Sequence, residues 1–375
     1  MELFSENETP GYLTEQLITY IGNKRSLLSF IGSAVETVRT RLGKEKITIA
    51  DLFAGSGVVS RYLKRFASRL EVNDLERYSE VVNLCYLANR SSLDIATLKT
   101  FHARVLERLE GGPLVPGLIS ELYAPHDDRD IRPGDRVFYT TRNARYIDTA
   151  RSLIEELPAD LKVYFLGPLL AEASVHANTS GVFKGFYKDA NTQLGRFGGT
   201  NGDALERILG DVTLPFPIFS AHECDLTVRR ADANDVARGL GHVDLVYLDP
   251  PYNQHPYGSN YFMLNLIVQY ERPGALSKVS GIPTDWRRSA YNARRRAFGA
   301  FEELIRSLDA SYLLVSFNSE GFIDRERMLT LLSSVGTVEL FETRYNTFRG
   351  SRNLRDRSLH VKEYLYLVEK DRKRA

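Results

Sequence analysis

Short apolar runs, each closed by a turn signal, alternate along this chain with stretches whose apolar residues recur at helical spacing. Residues 47–53, Ile-Thr-Ile-Ala-Asp-Leu-Phe, are apolar and β-branched and run into a glycine-rich turn, the pattern of a strand buried on both faces. Residues 58–67 have apolar positions at helical spacing, 69–72 predict a second strand and 76–89 a second helix. That β-α-β-α order opens a doubly wound parallel sheet. Residues 243–248, Val-Asp-Leu-Val-Tyr-Leu, predict another strand, and a helix at about 297–309 leads to one more at 311–317. Residues 337–343 and 361–369 predict a closing antiparallel pair around an arginine-rich loop.

Between about 90 and 220 the texture changes. Helix-like stretches at 95–110 and 144–157 are separated by segments rich in proline and glycine. This is too long for a crossover between strands. The expectation is a catalytic domain formed by 1–90 and 220–375, with 91–219 inserted as a mostly helical subdomain and 170–190 shared with the catalytic scaffold.

Composition narrows the class. The 375 residues are 43% hydrophobic and 26% charged, which suits a globular chain and excludes collagen, low complexity and disorder. No run approaches about 18 uncharged apolar residues, so no membrane helix is expected. The acidic, polar start does not fit a signal peptide, and two cysteines cannot form a disulfide scaffold, so a reducing cytoplasm is expected. Net charge is only +1, yet residues 286–296 hold five arginines and no acid, and 344–357 hold five against one aspartate. Such clusters, interleaved with Tyr, Phe and Asn, suit a phosphate backbone or a solvated surface.

Three motifs carry chemistry. In Asp51-Leu52-Phe53-Ala54-Gly55-Ser56-Gly57, glycines after a strand let the backbone approach a ligand. The Gly-Lys-Ser/Thr of a phosphate loop is absent, and an acid at the strand end suits an amine-bearing ligand better than a pyrophosphate. S-adenosylmethionine (SAM), with an ammonium and a sulfonium, is such a ligand. Asn73-Asp74 ends the second strand, where an acid can bind both ribose hydroxyls; Asn73 competes for that role, and Asp74 also suits a helix cap. Asp249-Pro250-Pro251-Tyr252 is the most specific. Two prolines fix a rigid turn, the Asp249 carboxylate and the Pro250 carbonyl form a pair of acceptors for an NH2 group, and Tyr252 offers a face for a planar ring.

With these residues, the chain resembles SAM-dependent amino methyltransferases, and among them the Dam-type DNA adenine-N6 methyltransferases, in particular restriction-modification methylases. Tyr20-Ile21-Gly22-Asn23-Lys24 resembles their Tyr-Xaa-Gly-Xaa-Lys element, and an insertion precedes Asp-Pro-Pro-Tyr as their target-recognition region does. Further similar stretches are 178–183, 260–265 and 345–350. The resemblance implies a Rossmann-like α/β methyltransferase sheet with an inserted target-recognition subdomain, SAM as cofactor and double-stranded DNA as partner, with room for a cognate restriction endonuclease. It implies that Tyr20, Lys24, Asp51, Phe53, Gly55, Gly57, Asp74 and Asp232 hold SAM, with Lys24 near its carboxylate and Asp232 near its adenine amine. Asp249, Pro250, Pro251 and Tyr252 would act on a flipped-out adenine. Tyr261 or Phe262 would close the other face of that base, or belong to the core. Arg344, Arg349 and Arg352 are the expected phosphate contacts.

Other chemistries fit less well. Methylation at cytosine C5 needs a cysteine nucleophile, usually after proline, but Leu84 precedes Cys85 and Glu223 precedes Cys224. No metal site is expected. The same transfer to cytosine N4, to ribosomal RNA adenine or to a glutamine amide is the nearest rival, and a nucleic-acid-binding protein without catalysis is a rival of another class.

Overall fold

The computed structural model describes residues 7–199, 202–319, 321–346 and 360–371. Seven strands, β1 (Ile47–Asp51), β2 (Ala67–Asp74), β3 (Asp225–Arg230), β4 (Val243–Leu248), β5 (Ala310–Asn318), β6 (Gly336–Asn346) and β7 (His360–Lys370), form one sheet in the order β3-β2-β1-β4-β5-β7-β6. The first five run parallel, and β7 inserts antiparallel between β5 and β6. The doubly wound α/β expectation holds, and the closing hairpin lies where the sequence puts it. β3 has no counterpart in the sequence reading.

The period of two along each strand sorts side chains onto two buried faces. Ile49, Leu245, Tyr247, Leu314, Leu365 and Leu367 face helices Leu28–Leu42 and Val58–Leu63. Ala50, Val246, Leu248, Leu313, Val315 and Tyr366 face helices Ala233–Gly239, Arg294–Ser307 and Arg325–Ser333.

A third core gathers around helix Arg77–Tyr86. It joins Val82 and Cys85 to Leu166 and Leu170 of helix Val163–Val175, to Ile147 and Ile154 of helix Thr141–Glu155, and to Met263 and Ile267 of helix Phe262–Gln269. The helices of segment 91–219 are not separately packed, since Val163–Val175 sits on the helix that follows β2. Among the described residues no helix is long and apolar enough to cross a membrane.

Candidate active site

Strands β3, β2, β1 and β4 lie side by side and parallel, so their carboxyl ends share one edge of the sheet. Each delivers an acid there. Asp51 ends β1, Asp74 ends β2, Asp249 follows β4, and Asp232 follows β3 as the N-cap of helix Ala233–Gly239. The order reverses between β1 and β4, the place where open α/β sheets leave a crevice. A pocket of about 890 Å3 opens there, lined by all four acids and by Tyr20, Lys24, Phe53, Gly55, Pro251 and Tyr257.

The glycine turn is shaped by backbone need. Gly55 and Gly57 have φ of +54° and +77°, a region that L side chains rarely adopt. A Cβ on Gly55 would lie 2.9 Å from the Tyr20 hydroxyl, and one on Gly57 would lie 2.7 Å from Asn83 Oδ1. Gly57 therefore shapes the turn from behind, while Gly55 lines the pocket. Asp74 locks the turn from the neighbouring strand: its Oδ2 accepts from the Gly55 N–H at 2.8 Å and its Oδ1 from the Glu76 N–H at 2.8 Å. Asn73 is tied into the sheet around it. Its amide donates to the carbonyls of Leu52 and Ala231, and its oxygen accepts from the Ala231 N–H, tying β1, β2 and the end of β3 together.

Burial sets the electrostatics. Asp51 is fully buried and accepts from Ser60 Oγ at 2.6 Å; desolvation outweighs that bond and pushes its carboxyl up to about 7. Glu76, on the pocket wall, accepts from Asn265 Nδ2 at 2.6 Å and is likewise pushed by burial up to about 7. Burial raises Asp74 as well. Asp249 is pushed by burial up to about 6, an effect that the Lys24 ammonium, 3.3 Å from its Oδ1, opposes. Lys24 also reaches Glu363 of β7 at 2.7 Å.

The aromatic groups divide in two. Tyr20 stacks on Tyr257 at 5.1 Å and on Tyr261 at 4.6 Å between ring centroids, and its hydroxyl meets that of Tyr78 at 3.1 Å. Tyr252 lies beside the pocket, with its ring edge-on to Phe317 and its carbonyl accepting from the Phe322 N–H. Pro250, Pro251 and Tyr252 share a second hollow of about 200 Å3 with Phe322 and Tyr291.

One expectation is corrected. Tyr261 is fully buried, and its hydroxyl accepts from the Ile21 N–H at 2.6 Å, so it supports Tyr20 from the core and offers no face to DNA. Phe262 is a core residue too. Arg344 is on β6, opposite Lys362. Arg349 and Arg352 lie outside the described residues.

Sequence reasoning missed part of the wall. Tyr257, Glu76, Arg287, Ser289, Tyr291 and Asn292 all line the pocket. Segment 286–296 stands out in the sequence only for its arginines, yet its polar and aromatic residues close the pocket. Tyr291 donates to Asn234 Oδ1 at 2.6 Å and packs edge-on against Phe53, and Asn292 donates to the Asn253 carbonyl. Among the described residues no group of three or more His, Cys, Asp and Glu could hold a metal ion.

Five acids against Lys24 and Arg287, with aromatic walls, suit a cationic amino acid joined to a nucleoside. SAM has that chemistry, and the donor set accommodates it.

Residues 20–280 match the family described as D12 class N6 adenine-specific DNA methyltransferase. The chain is 30% identical over 361 residues to Type II methyltransferase M.NlaIII of Neisseria lactamica, an alignment that covers 94% of this chain and 99% of that protein. It is 28% identical to Type II methyltransferase M.CviAII of Paramecium bursaria Chlorella virus 1, covering 94% of this chain and 98% of the other. It is 26% identical to Type II methyltransferase M.FokI of Planomicrobium okeanokoites, covering 94% of this chain but 52% of that longer protein.

Proposed function

Because the chain belongs to the D12 class of N6-adenine-specific DNA methyltransferases, we propose that its Asp249-Pro250-Pro251-Tyr252 turn receives the target adenine while the adjoining pocket holds SAM. The enzyme is a SAM-dependent DNA adenine-N6 methyltransferase. The observation that carries the residue assignment is convergence: Tyr20, Lys24, Asp51, Gly55, Asp74, Asp232 and Asp249, from distant parts of the sequence, line one pocket at one sheet edge.

The adenine amine is a poor nucleophile because its lone pair is delocalised into the ring. The Asp249 carboxylate and the Pro250 carbonyl accept its two hydrogens, which localises electron density on nitrogen and favours the tetrahedral geometry of attack. SAM, when bound, supplies a methyl group already activated by its sulfonium. The protein's part is therefore to orient, desolvate and accept hydrogen bonds. Rigidity serves this: the two prolines fix the carbonyl, and Phe317 braces Tyr252, the residue to stack on the flipped base. Asp51, Asp74 and Asp232 favour a cationic, hydroxyl-bearing and amine-bearing ligand in turn.

Helices of segment 91–219 are the natural site of target recognition, and Arg344, Arg349 and Arg352 of phosphate contact, which positions a duplex without reading it. The relatives named as Type II methyltransferases support a role as the modification partner of a restriction endonuclease in the cytoplasm.

Asp249→Ala tests the central assignment. Loss of one acceptor should lower turnover by about 10²-fold or more. SAM affinity should change little, because Asp249 acts on the base. Labelled methyl transfer to duplex DNA, with nucleoside digestion to identify N6-methyladenine, measures the first, and calorimetric titration the second. Turnover near that of the unmodified enzyme would overturn the assignment.

A further inference from the structure

Glu363 is a carboxylate in the middle of a sheet. It sits on β7 opposite Asn318 of β5 and is only 3% exposed. Its Oε1 accepts from Lys24 Nζ at 2.7 Å and from Ser316 Oγ at 2.8 Å. Lys24 is itself buried, at 6% exposure, and its ammonium stands between two carboxylates, 2.7 Å from Glu363 and 3.3 Å from Asp249. The shorter distance is that of a strong charge-assisted hydrogen bond, and the longer one is a weaker contact that still lowers the Asp249 carboxyl.

Asp249 faces two opposed demands. It must be ionised in a site where burial favours its proton, which calls for a nearby cation. It must also keep its lone pairs for the target amine, which a tight ion pair would occupy. We propose that Glu363 is a positioning residue that resolves this conflict: it takes the closest hydrogen bond of Lys24 and so holds the ammonium near Asp249 but off it. Lys24 has three donors, so this arrangement also leaves it capacity toward the cofactor pocket it lines. The inference rests on Asp249 being the acceptor for the adenine amine.

Besides Lys24 and Glu363, the titratable groups that face Asp249 are Asp51 from β1, Tyr247 from β4, Tyr252 from the turn itself and Tyr257 from the short helix Tyr257–Asn260. Burial raises the three tyrosines, so they stay neutral through the working range. Asp51, pushed up to about 7, is then the neighbour that titrates in the same range, and it is common to the proteins compared below.

Glu363→Gln keeps the side chain's size and removes its charge. Lys24 then closes on Asp249. The plateau of kcat should fall by about 10- to 100-fold, part of what removing an acceptor outright costs. The acid limb of kcat against pH should move to lower pH, since Asp249 loses a like charge and gains a closer cation. An NMR titration of the Asp249 carboxyl carbon in cofactor-free protein should show the same downward shift without turnover. Loss of β7 packing alone would lower thermal stability and leave both the limb and the carboxyl titration in place, and that result would overturn the proposal. A lowered limb with an undiminished plateau would also overturn it, because Glu363 would then act only as a charge. A raised limb would overturn it in the opposite sense, as Glu363 would be holding Lys24 toward Asp249. If the Gln variant does not fold, Glu363→Asp carries the test: its shorter arm should give a smaller change of the same two kinds, and no change overturns the proposal. The Asp249→Ala variant keeps the two ideas apart. Retained turnover there removes the acceptor assignment itself, whereas an inactive Asp249→Ala beside an unaltered Glu363→Gln removes only the positioning role.

Discussion

Asp74 carries two loads. Its two oxygens already hold the Gly55 and Glu76 N–H groups, yet a carboxylate has about four lone-pair directions, so two remain for a ribose diol. Asn73 has less reserve: both hydrogens of its amide are spent on backbone carbonyls and one lone pair of its oxygen on the Ala231 N–H. The two neighbours are equivalent candidates in the sequence, and their bonds favour a test with Asp74 as the ligand residue and Asn73 as the sheet residue. Asp74→Ala should weaken SAM binding by about 1–3 kcal/mol, with the choice of DNA sequence unchanged. Asn73→Ala should lower thermal stability while the folded protein keeps its SAM affinity. Calorimetric titration beside thermal unfolding separates the two, and the reverse pattern would exchange the roles. Asp51, Asp74 and Asp249 were legible in the sequence because each follows an apolar run, whereas Asp232 came only from the resemblance and Glu76 was missed. The Lys24–Glu363 pair was not legible, as its members are 339 residues apart. A signal existed: Glu363 shares its parity along β7 with Leu365 and Leu367, so alternation places its carboxylate on a buried face. Tyr261 misled for the opposite reason. An aromatic two turns of chain beyond a catalytic motif looks like a base-stacking residue, and only three-dimensional packing shows it beneath Tyr20.

At the scale of elements, the strands buried on both faces were readable and one edge strand, β3, was not. β3 has charged or polar residues at four of its six positions, Asp225, Thr227, Arg229 and Arg230, and none of the six is buried, so its apolar contrast is weak. The helix pair around Gly167 was also invisible, because close approach leaves no periodic trace. Helix Val163–Val175 meets helix Arg77–Tyr86 there, and a Cβ on Gly167 would lie 2.7 Å from both Cβ and Sγ of Cys85. Gly167→Ala gains helix propensity of up to about 1 kcal/mol. Overpacking in a filled core costs about 1–3 kcal/mol, and the approach here is to a β-carbon that cannot swing aside. The substitution should therefore lower the unfolding temperature. Combining it with Cys85→Gly should cost less than the sum of the two single changes, the mark of direct contact. Strict additivity would mean that the helices adjust without strain. The contact also explains why the limits of segment 91–219 are hard to draw from sequence: one of its helices packs on the helix that follows β2.

At the scale of the whole molecule, the site is a cluster of carboxyl groups held in a folded state that disfavours their ionisation. Asp51 and Glu76 are pushed up to about 7 and Asp249 to about 6, each chiefly by burial. An acid whose folded pKa exceeds its unfolded value contributes stability that is fully present below the unfolded value, about 4. That contribution is lost as pH rises through the folded value, because the folded state is the one holding the extra proton. For these groups the loss runs from about pH 4 to about pH 7. A ligand bearing an ammonium and a sulfonium reverses the preference, since its charges favour ionised acids beside it. SAM should accordingly bind with release of protons, and below about pH 7 its affinity should fall by up to about tenfold per pH unit for each proton released. The rise in unfolding temperature given by a fixed excess of SAM should be larger at pH 8 than at pH 5.5. Taking the difference with and without ligand removes the histidines and carboxylates remote from the pocket. Asp51→Asn should flatten much of this dependence, because its side chain stays neutral throughout, whereas an exposed acid changed in the same way should not. Calorimetry in two buffers of different ionisation enthalpy counts the protons directly. No proton release on binding, with equal stabilisation at the two pH values, would mean that the pocket meets SAM with its acids already ionised, and that burial is not what governs their charge.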